Sequence, residues 1–512
     1  MLKVTQSIQL QDFYSVLFEN EKVELSTKQF TRIEKSYKFL QEFSKDKVIY
    51  GVNTGFGPMA QYKIDEDDQH SLQYNLIRSH ASGTGKILAP VYVKALMLAR
   101  LNTLSLGKSG VHKSVVEVMT QLINKNITPL IFEHGGVGAS GDLVQLAHLA
   151  LVLIGEGEVF YKGKRVATEI AFKAEKIKPI QIKCREGLAL MNGTSVMTGI
   201  GIVNTIYAER LLNWAVFCSS LINEVVKAYE DHFSAPLNEA KLHEGQKNIA
   251  EKMRNHLADS SRIKKRDQHL FKPTKEKVFK EKVQEYYSLR CVPQILGPVE
   301  DTLKQVKKIL VEEVNSANDN PIIDVASKNV YHGGNFHGDY VALEMDKLKL
   351  VITKLSMLAE RQLNYLLNSN LNNFLTPFVN SGKLGLNFGM QGTQFTAVST
   401  TAENQALSNS MYIHSIPNNN DNQDIVSMGT NAANMTKNVI ENSFEVVAIE
   451  LITLVQAVYQ LDILDELSST SRKELQKIQE FIPKFSEDQI MYPFVQEMKS
   501  YLLEHEVYSE KK

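Results

Sequence analysis

Three stretches of this chain run helical well past the length of an ordinary globular helix. They are GIVNTIYAERLLNWAVFCSSLINEVVKAY from residue 201, ALEMDKLKLVITKLSMLAERQLNYLL from 342 and KNVIENSFEVVAIELITLVQAVYQL from 437. Such helices predict a mainly α fold: an elongated bundle whose faces pack on neighbouring subunits as well as within the chain. Before residue 200 the pattern changes, because glycine-rich stretches interrupt shorter helical runs: YGVNTGFG at 50, SHASGTGK at 79, HGGVGASGD at 134 and MNGTS at 191. The expected organisation is therefore a glycine-loop-rich N-terminal region, residues 1–200, followed by a long-helix region, residues 201–512. Residues 1 to about 45 also read as helical. EVFYKGKRVATE at 158 reads as a hairpin about a Lys-Gly turn.

Composition narrows the classes of partner. Lys+Arg 57 against Asp+Glu 58 leaves a formal charge of -1, which gives no support for a nucleic-acid or anionic-membrane partner. The lysine-rich run at 262–282 carries interleaved acids and reads as a solvated connection. VVAIELITLVQAV at 446 includes Glu450 and is too short to span a bilayer. The start, MLKVTQSIQLQDF, has no apolar run of signal-peptide length. Cys184, Cys218 and Cys291 are widely spaced, which predicts a reducing compartment, no disulfide framework and no metal cluster. A cytoplasmic protein is the expectation.

The stretch GVGASGD admits three readings. Gly136-x-Gly138-x-x-Gly141 fits a dinucleotide-binding turn, with ITPLIF as the strand before it, DLVQLAHLALVLIG as the helix after it and Glu156 or Glu158 as the ribose acid. No succession of strand–helix units follows to build the parallel sheet that this turn serves. A plainer reading makes the stretch a turn into a helix, with Asp142 near the N-cap accepting backbone N–H groups. Neither explains why Ala139, Ser140 and Gly141 adjoin. In a tightly bent loop the nitrogen of Gly141 can attack the carbonyl carbon of Ala139. Glycine adds no Cβ bulk there, and serine can lose its hydroxyl as water. The product is a five-membered electrophilic ring with an exposed methylidene, a capacity otherwise supplied by cofactors.

GGVGASGDLVQLAH resembles the signature of the aromatic amino acid ammonia-lyases, the histidine, phenylalanine and tyrosine lyase superfamily. Six more motifs fall in the family's order: YGVNTGFG at 50, EGLALMNGTS at 186, YYSLRCVPQ at 286, NSANDNP at 315, GGNFHGD at 333 and NQDIVSMG at 422. The wording is most similar to the tyrosine lyases of flavobacteria. The resemblance implies that Ala139, Ser140 and Gly141 form a methylidene-imidazolone, with no metal or nucleotide, in a homotetramer whose sites draw on several subunits. It further implies Tyr50 as the base near Cβ, Asn192 beside the ring and Tyr287 as a second site tyrosine. Arg290 is the implied partner of the substrate carboxylate, a role suited to a planar two-donor group. Phe336 would cover the ring, while Glu403, Asn422 and Gln423 would face the substrate amine or the ring.

Substrate choice divides the motifs. Ser79-His80, just before the SGTG turn, resembles histidine lyases, whereas Asn422-Gln423-Asp424-Ile425 stands where histidine lyases have Gln-Glu-Asp-His. Neutral histidine both donates and accepts, so His80 suits an imidazole or a phenol. A bare phenyl ring would leave it unpaired, at about 1–3 kcal/mol. The expectation is L-tyrosine giving trans-4-coumarate and ammonia, with L-histidine giving urocanate as the alternative. A tyrosine 2,3-aminomutase, which returns ammonia to Cβ, shares these residues. The rival classes are a nicotinamide oxidoreductase and a non-catalytic homologue that leaves Ser140 unmodified.

Overall fold

The computed structural model describes residues 2–4, 7–183, 185–279 and 282–507. Cys184 and part of the lysine-rich run lie outside them. The fold is mainly helical, as the periodicity predicts. The long helices are Ser195–Val225, Asp339–Leu367 and Gly429–Leu461, joined by a fourth, Val292–Val314. Strands among the described residues form only small sheets of two or three.

The chain divides into two compact units. Unit 1 comprises residues 1–206, 305–346 and 410–437; unit 2 comprises 207–304, 347–409 and 438–512. Unit 1 thus takes in the glycine-rich N-terminal region together with two later segments.

The start of unit 1 is helical over most of its expected range, with an interruption. Helices Leu10–Phe18 and Thr27–Phe43 are separated by strand Val23–Leu25, which pairs in parallel with Leu2–Val4. The second begins at a capping box, in which the Gln29 side chain accepts from the Ser26 amide at 2.8 Å. Helix periodicity cannot reveal this break, because strand pairing is a non-local choice. The predicted hairpin is present as Glu158–Tyr161 and Lys164–Ala167. Its turn residues Lys162 and Gly163 both have positive φ, 49° and 75°, the turn whose twist matches that of the strands.

Helix Pro90–Ser105 forms the centre of unit 1 and is buried from Tyr92 to Ser105. Its apolar residues occupy every face, so its polar side chains must find partners inside. Lys94 donates to Val16 O and Asn126 Oδ1, both at 2.8 Å, and Asn102 donates to Val314 O at 2.8 Å. The following long helix packs closely on it at Gly199, where a Cβ would lie 2.5 Å from the Leu96 backbone.

In unit 2, VVAIELITLVQAV proves to be the middle of Gly429–Leu461. Among the described residues this 33-residue helix alone is long and apolar enough to cross a membrane, and 78% of its apolar window is buried inside the protein. Glu450 is fully buried there, and among the described residues neither carboxylate oxygen has a hydrogen-bond partner. Burial holds its carboxyl in the neutral form, well above the ordinary range. The folded state therefore binds this proton more tightly than the unfolded chain. With respect to this group the protein is most stable at acid pH, and stability falls as pH rises through the carboxylate range and beyond. Glu450→Leu is expected to stabilise the protein by roughly 1–3 kcal/mol. Denaturant melts at pH 5 and pH 9 should show the larger gain at pH 9, and an equal or smaller gain there would contradict this account.

Candidate active site

The HGGVGASGD loop joins strand Phe132–His134 to helix Leu143–Leu153. It is sharply bent: Gly138 and Gly141 both have φ of +73°, a region that L side chains avoid. Two other segments clamp it. Met428 N–H donates to Val137 O at 3.0 Å and Ser427 Oγ donates to Gly138 O at 2.9 Å. From the other side, Asp142 N–H donates to Gly193 O at 2.9 Å. The Ser140 carbonyl accepts from Asn192 Nδ2 at 2.9 Å and from Gly193 N–H at 3.4 Å. The contact is so close that a Cβ on Gly141 would sit 2.0 Å from Gly193 O. Ala139 is buried against Val426 and Met428, whereas Ser140 remains partly open. Among the described residues the Gly141 amide donates no hydrogen bond, so its nitrogen is uncommitted.

These contacts remove the dinucleotide reading. The strand before the glycines pairs antiparallel with Thr84–Ile87, not within a parallel sheet, and protein groups already occupy the loop's backbone. The capping role expected of Asp142 is also corrected. Its side chain makes no cap bond to its own helix. Instead Oδ2 accepts from the Val196 and Met197 amides, both at 2.9 Å, in the first turn of the Ser195–Val225 helix, and Oδ1 accepts from the Thr430 hydroxyl. Burial pushes this carboxyl up to about 6, although Thr430, the two amides and Arg100 pull it down. Asp142 thus ties two segments distant in sequence, 193–197 and Thr430, to the end of the loop.

Beside the loop lies a cavity of about 800 Å³ in unit 1. Ser140, Asn192, Tyr50 and Phe336 line it, as do Ser79, His80, Asn422 and Gln423. Tyr50 Oη accepts the Gly57 N–H at 3.1 Å. His80 Nδ1 lies 3.0 Å from Leu76 O. Nδ1 is also 3.0 Å from Ser79 Oγ, so the protein engages this nitrogen, and among the described residues Nε2 makes no hydrogen bond. Asn422 and Gln423 are presented by the asparagine-rich loop. Asn419, Asn420 and Asp421 all have positive φ, a conformation that asparagine and aspartate tolerate, and Asn418 pairs with Gln423 across them. Gln423 Nε2 donates to Ser140 Oγ at 2.9 Å.

Sequence reading missed Asn75, Asn320 and His332, which also line this cavity. NSANDNP, quoted as a motif, contains Asn320, and GGNFHGD begins directly after His332. The remaining predicted residues belong to unit 2 and are not among the lining of this cavity. Tyr287 is 70% exposed, with the Arg290 guanidinium stacked over its ring at 4.7 Å. Both line a second cavity of about 680 Å³. Glu403 is exposed on helix Gln391–Leu407 and accepts from Asn442 at 3.1 Å.

A helical chain that bends Ala-Ser-Gly into a clamped loop beside an aromatic, amide-rich cavity has the architecture of a carbon–nitrogen lyase. The chain belongs to the aromatic amino acid lyase family, whose sequence model matches residues 8–480. It is 38% identical over 502 residues to a probable histidine ammonia-lyase of Thermoplasma volcanium, covering 98% of each chain. It is 37% identical to the histidine ammonia-lyase of Bacillus subtilis, covering 97% of this chain and 95% of that one. Among solved structures it is similar to the tyrosine aminomutase of Streptomyces globisporus, at 33% identity and a TM-score of 0.92, covering 98% and 96% of the two chains.

Proposed function

We propose that the protein removes ammonia from an L-amino acid whose ring ends in a hydrogen-bond donor, with L-tyrosine giving trans-4-coumarate as the first reading. The observation that carries it is the placement of His80 in the same cavity as Ser140, with Nδ1 engaged by Leu76 O and Ser79 Oγ and Nε2 left for a ring substituent. Ala139, Ser140 and Gly141 fit the implied methylidene-imidazolone: Gly141 is uncommitted at nitrogen and the Ser140 carbonyl is held by two donors. When formed, the ring supplies an electrophilic carbon that captures the substrate amine or ring. Tyr50, with its oxygen supported by Gly57 N–H, takes the β-proton. Phe336 shields the pocket, and Asn422 and Gln423 orient the amine end.

The names of the curated relatives favour the alternative, L-histidine giving urocanate, over tyrosine. Ser79-His80 agrees with that alternative. Against it, Gln423 and Ile425 stand where histidine lyases have an acid and a histidine, and the cavity lining contains no carboxylate. The solved aminomutase relative supports testing for a β-amino acid product as well. On this reading Tyr287, Arg290 and Glu403 serve the site from neighbouring subunits of a cytoplasmic homotetramer, with Arg290 holding the substrate carboxylate.

The test offers tyrosine and histidine separately and identifies the products. Coumarate as the main product supports the first reading, urocanate the second, and a β-amino acid the mutase. His80→Phe is expected to lower kcat/KM for tyrosine by about 10²-fold and to raise turnover of phenylalanine, because no polar ring nitrogen is then left unpaired against a bare phenyl ring. Unchanged preference would remove His80 from substrate selection.

A further inference from the structure

The donors on the Ser140 carbonyl are themselves held by a buried cation. Arg100, on helix Pro90–Ser105, is fully buried. Its Nη2 donates to Ala189 O and, at 2.8 Å, to Asn192 O, at the carbonyl end of helix Glu186–Met191. Its Nη1 lies close to Gly193, where a Cβ would be only 2.5 Å away, and Gly193 adopts a φ of +138° that glycine tolerates. Among the described residues Nε and Nη1 have no hydrogen-bond partner. Asp319 and Asp142 are the nearby acids and Arg185 the nearby base; desolvation lowers the Arg100 guanidinium to about 10, so it stays charged at neutral pH.

One peptide group connects this charge to the reacting loop. The C=O of the Asn192–Gly193 peptide faces Arg100, and the N–H of the same peptide faces Ser140 O. A charge on the carbonyl side of a peptide polarises it and strengthens its N–H as a donor. The same contact fixes the backbone that carries the Asn192 side chain, the second donor to Ser140 O.

Resting on the reading that Ala139–Ser140–Gly141 cyclises, we propose that Arg100 is a positioning residue for that cyclisation, polarising and fixing the Asn192–Gly193 peptide against the Ser140 carbonyl. The chemistry places a demand on that oxygen. Closure forms the Gly141 N–Ala139 C bond, and the Ala139 oxygen leaves as water with the amide hydrogens of Ser140 and Gly141. The Ser140 hydroxyl then leaves as a second water with the Ser140 Cα hydrogen. Loss of the Cα proton puts negative charge on the adjacent Ser140 carbonyl oxygen, where preorganised donors are worth most. Arg100 touches neither substrate nor reacting atoms; it acts through the peptide.

The test follows the mass of the full chain after induction, with samples quenched in denaturant, for wild type, Arg100→Lys and Arg100→Gln. The readout is the fraction lacking two waters over time, with a thermal melt of each purified protein alongside. Lysine keeps the charge but supplies a single donor point, so maturation should slow about 10-fold, and about 100-fold in Arg100→Gln. That graded rescue is not expected of a purely structural arginine, whose loss would move the melt and not the maturation rate of the folded fraction. Should Arg100→Gln fail to fold, Arg100→Lys decides alone. Maturation at the wild-type rate in either folded variant overturns the proposal. A wild-type chain of full encoded mass overturns the cyclisation reading and this proposal together, whereas a wild type with the deficit leaves the variants to decide the role of Arg100.

Discussion

Ser140→Ala is expected to yield a folded protein with the full mass of its encoded chain and activity reduced by roughly 10³-fold or more. The serine side chain is partly open, and among the described residues its hydroxyl makes one hydrogen bond, from Gln423, which contributes little to stability. Its hydroxyl is nevertheless the group that must leave for an exocyclic methylidene to form. Alanine at this position can at most close a ring without the acceptor carbon. Intact mass and a product assay on the same preparation check both halves. Full activity in the variant would end the ring mechanism. A wild-type mass with no deficit would end it without any variant.

Gly141→Ala should act on the fold as well as on the chemistry. Its Cβ would fall 2.0 Å from Gly193 O at a residue whose φ is +73°. To relieve the clash the loop must separate from Gly193, losing Asp142 N–H to Gly193 O and Gly193 N–H to Ser140 O. Strain and lost bonds together predict a destabilisation of about 3 kcal/mol or more, measured by denaturant unfolding. The variant should also retain its full mass. Gly163→Ala is the control, because Gly163 has nearly the same φ, +75°, with nothing within 4 Å of its Cβ. That substitution carries the conformational penalty alone, about 1–2 kcal/mol. Equal effects at the two positions would show that the clamp against Gly193 contributes nothing.

Much of the fold was legible because its signals are local. The long apolar periodicities give Ser195–Val225, Asp339–Leu367 and Gly429–Leu461, and the Lys-Gly pair gives a hairpin with the required positive φ values. In the asparagine-rich segment, asparagine and aspartate tolerate the left-handed run that presents Gln423. Family motifs place eight of the expected residues around one cavity. What failed was long-range. Asp142 sits where a cap belongs, yet its carboxylate serves a helix that begins some fifty residues later. Residues 1–45 break into two helices because Val23–Leu25 finds a strand partner.

By itself the sequence determined that this chain is helical and that three adjacent small residues can react with one another, since periodicity and the size of alanine, serine and glycine are properties of the chain. Only the tertiary structure decided how they are bent and clamped. The bend depends on Gly193, Ser427 and Met428, and the charge behind it on Arg100, from segments far from the loop in sequence. Hydrogen-bond geometry across such separations is fixed by packing, and no local pattern of residue types encodes it.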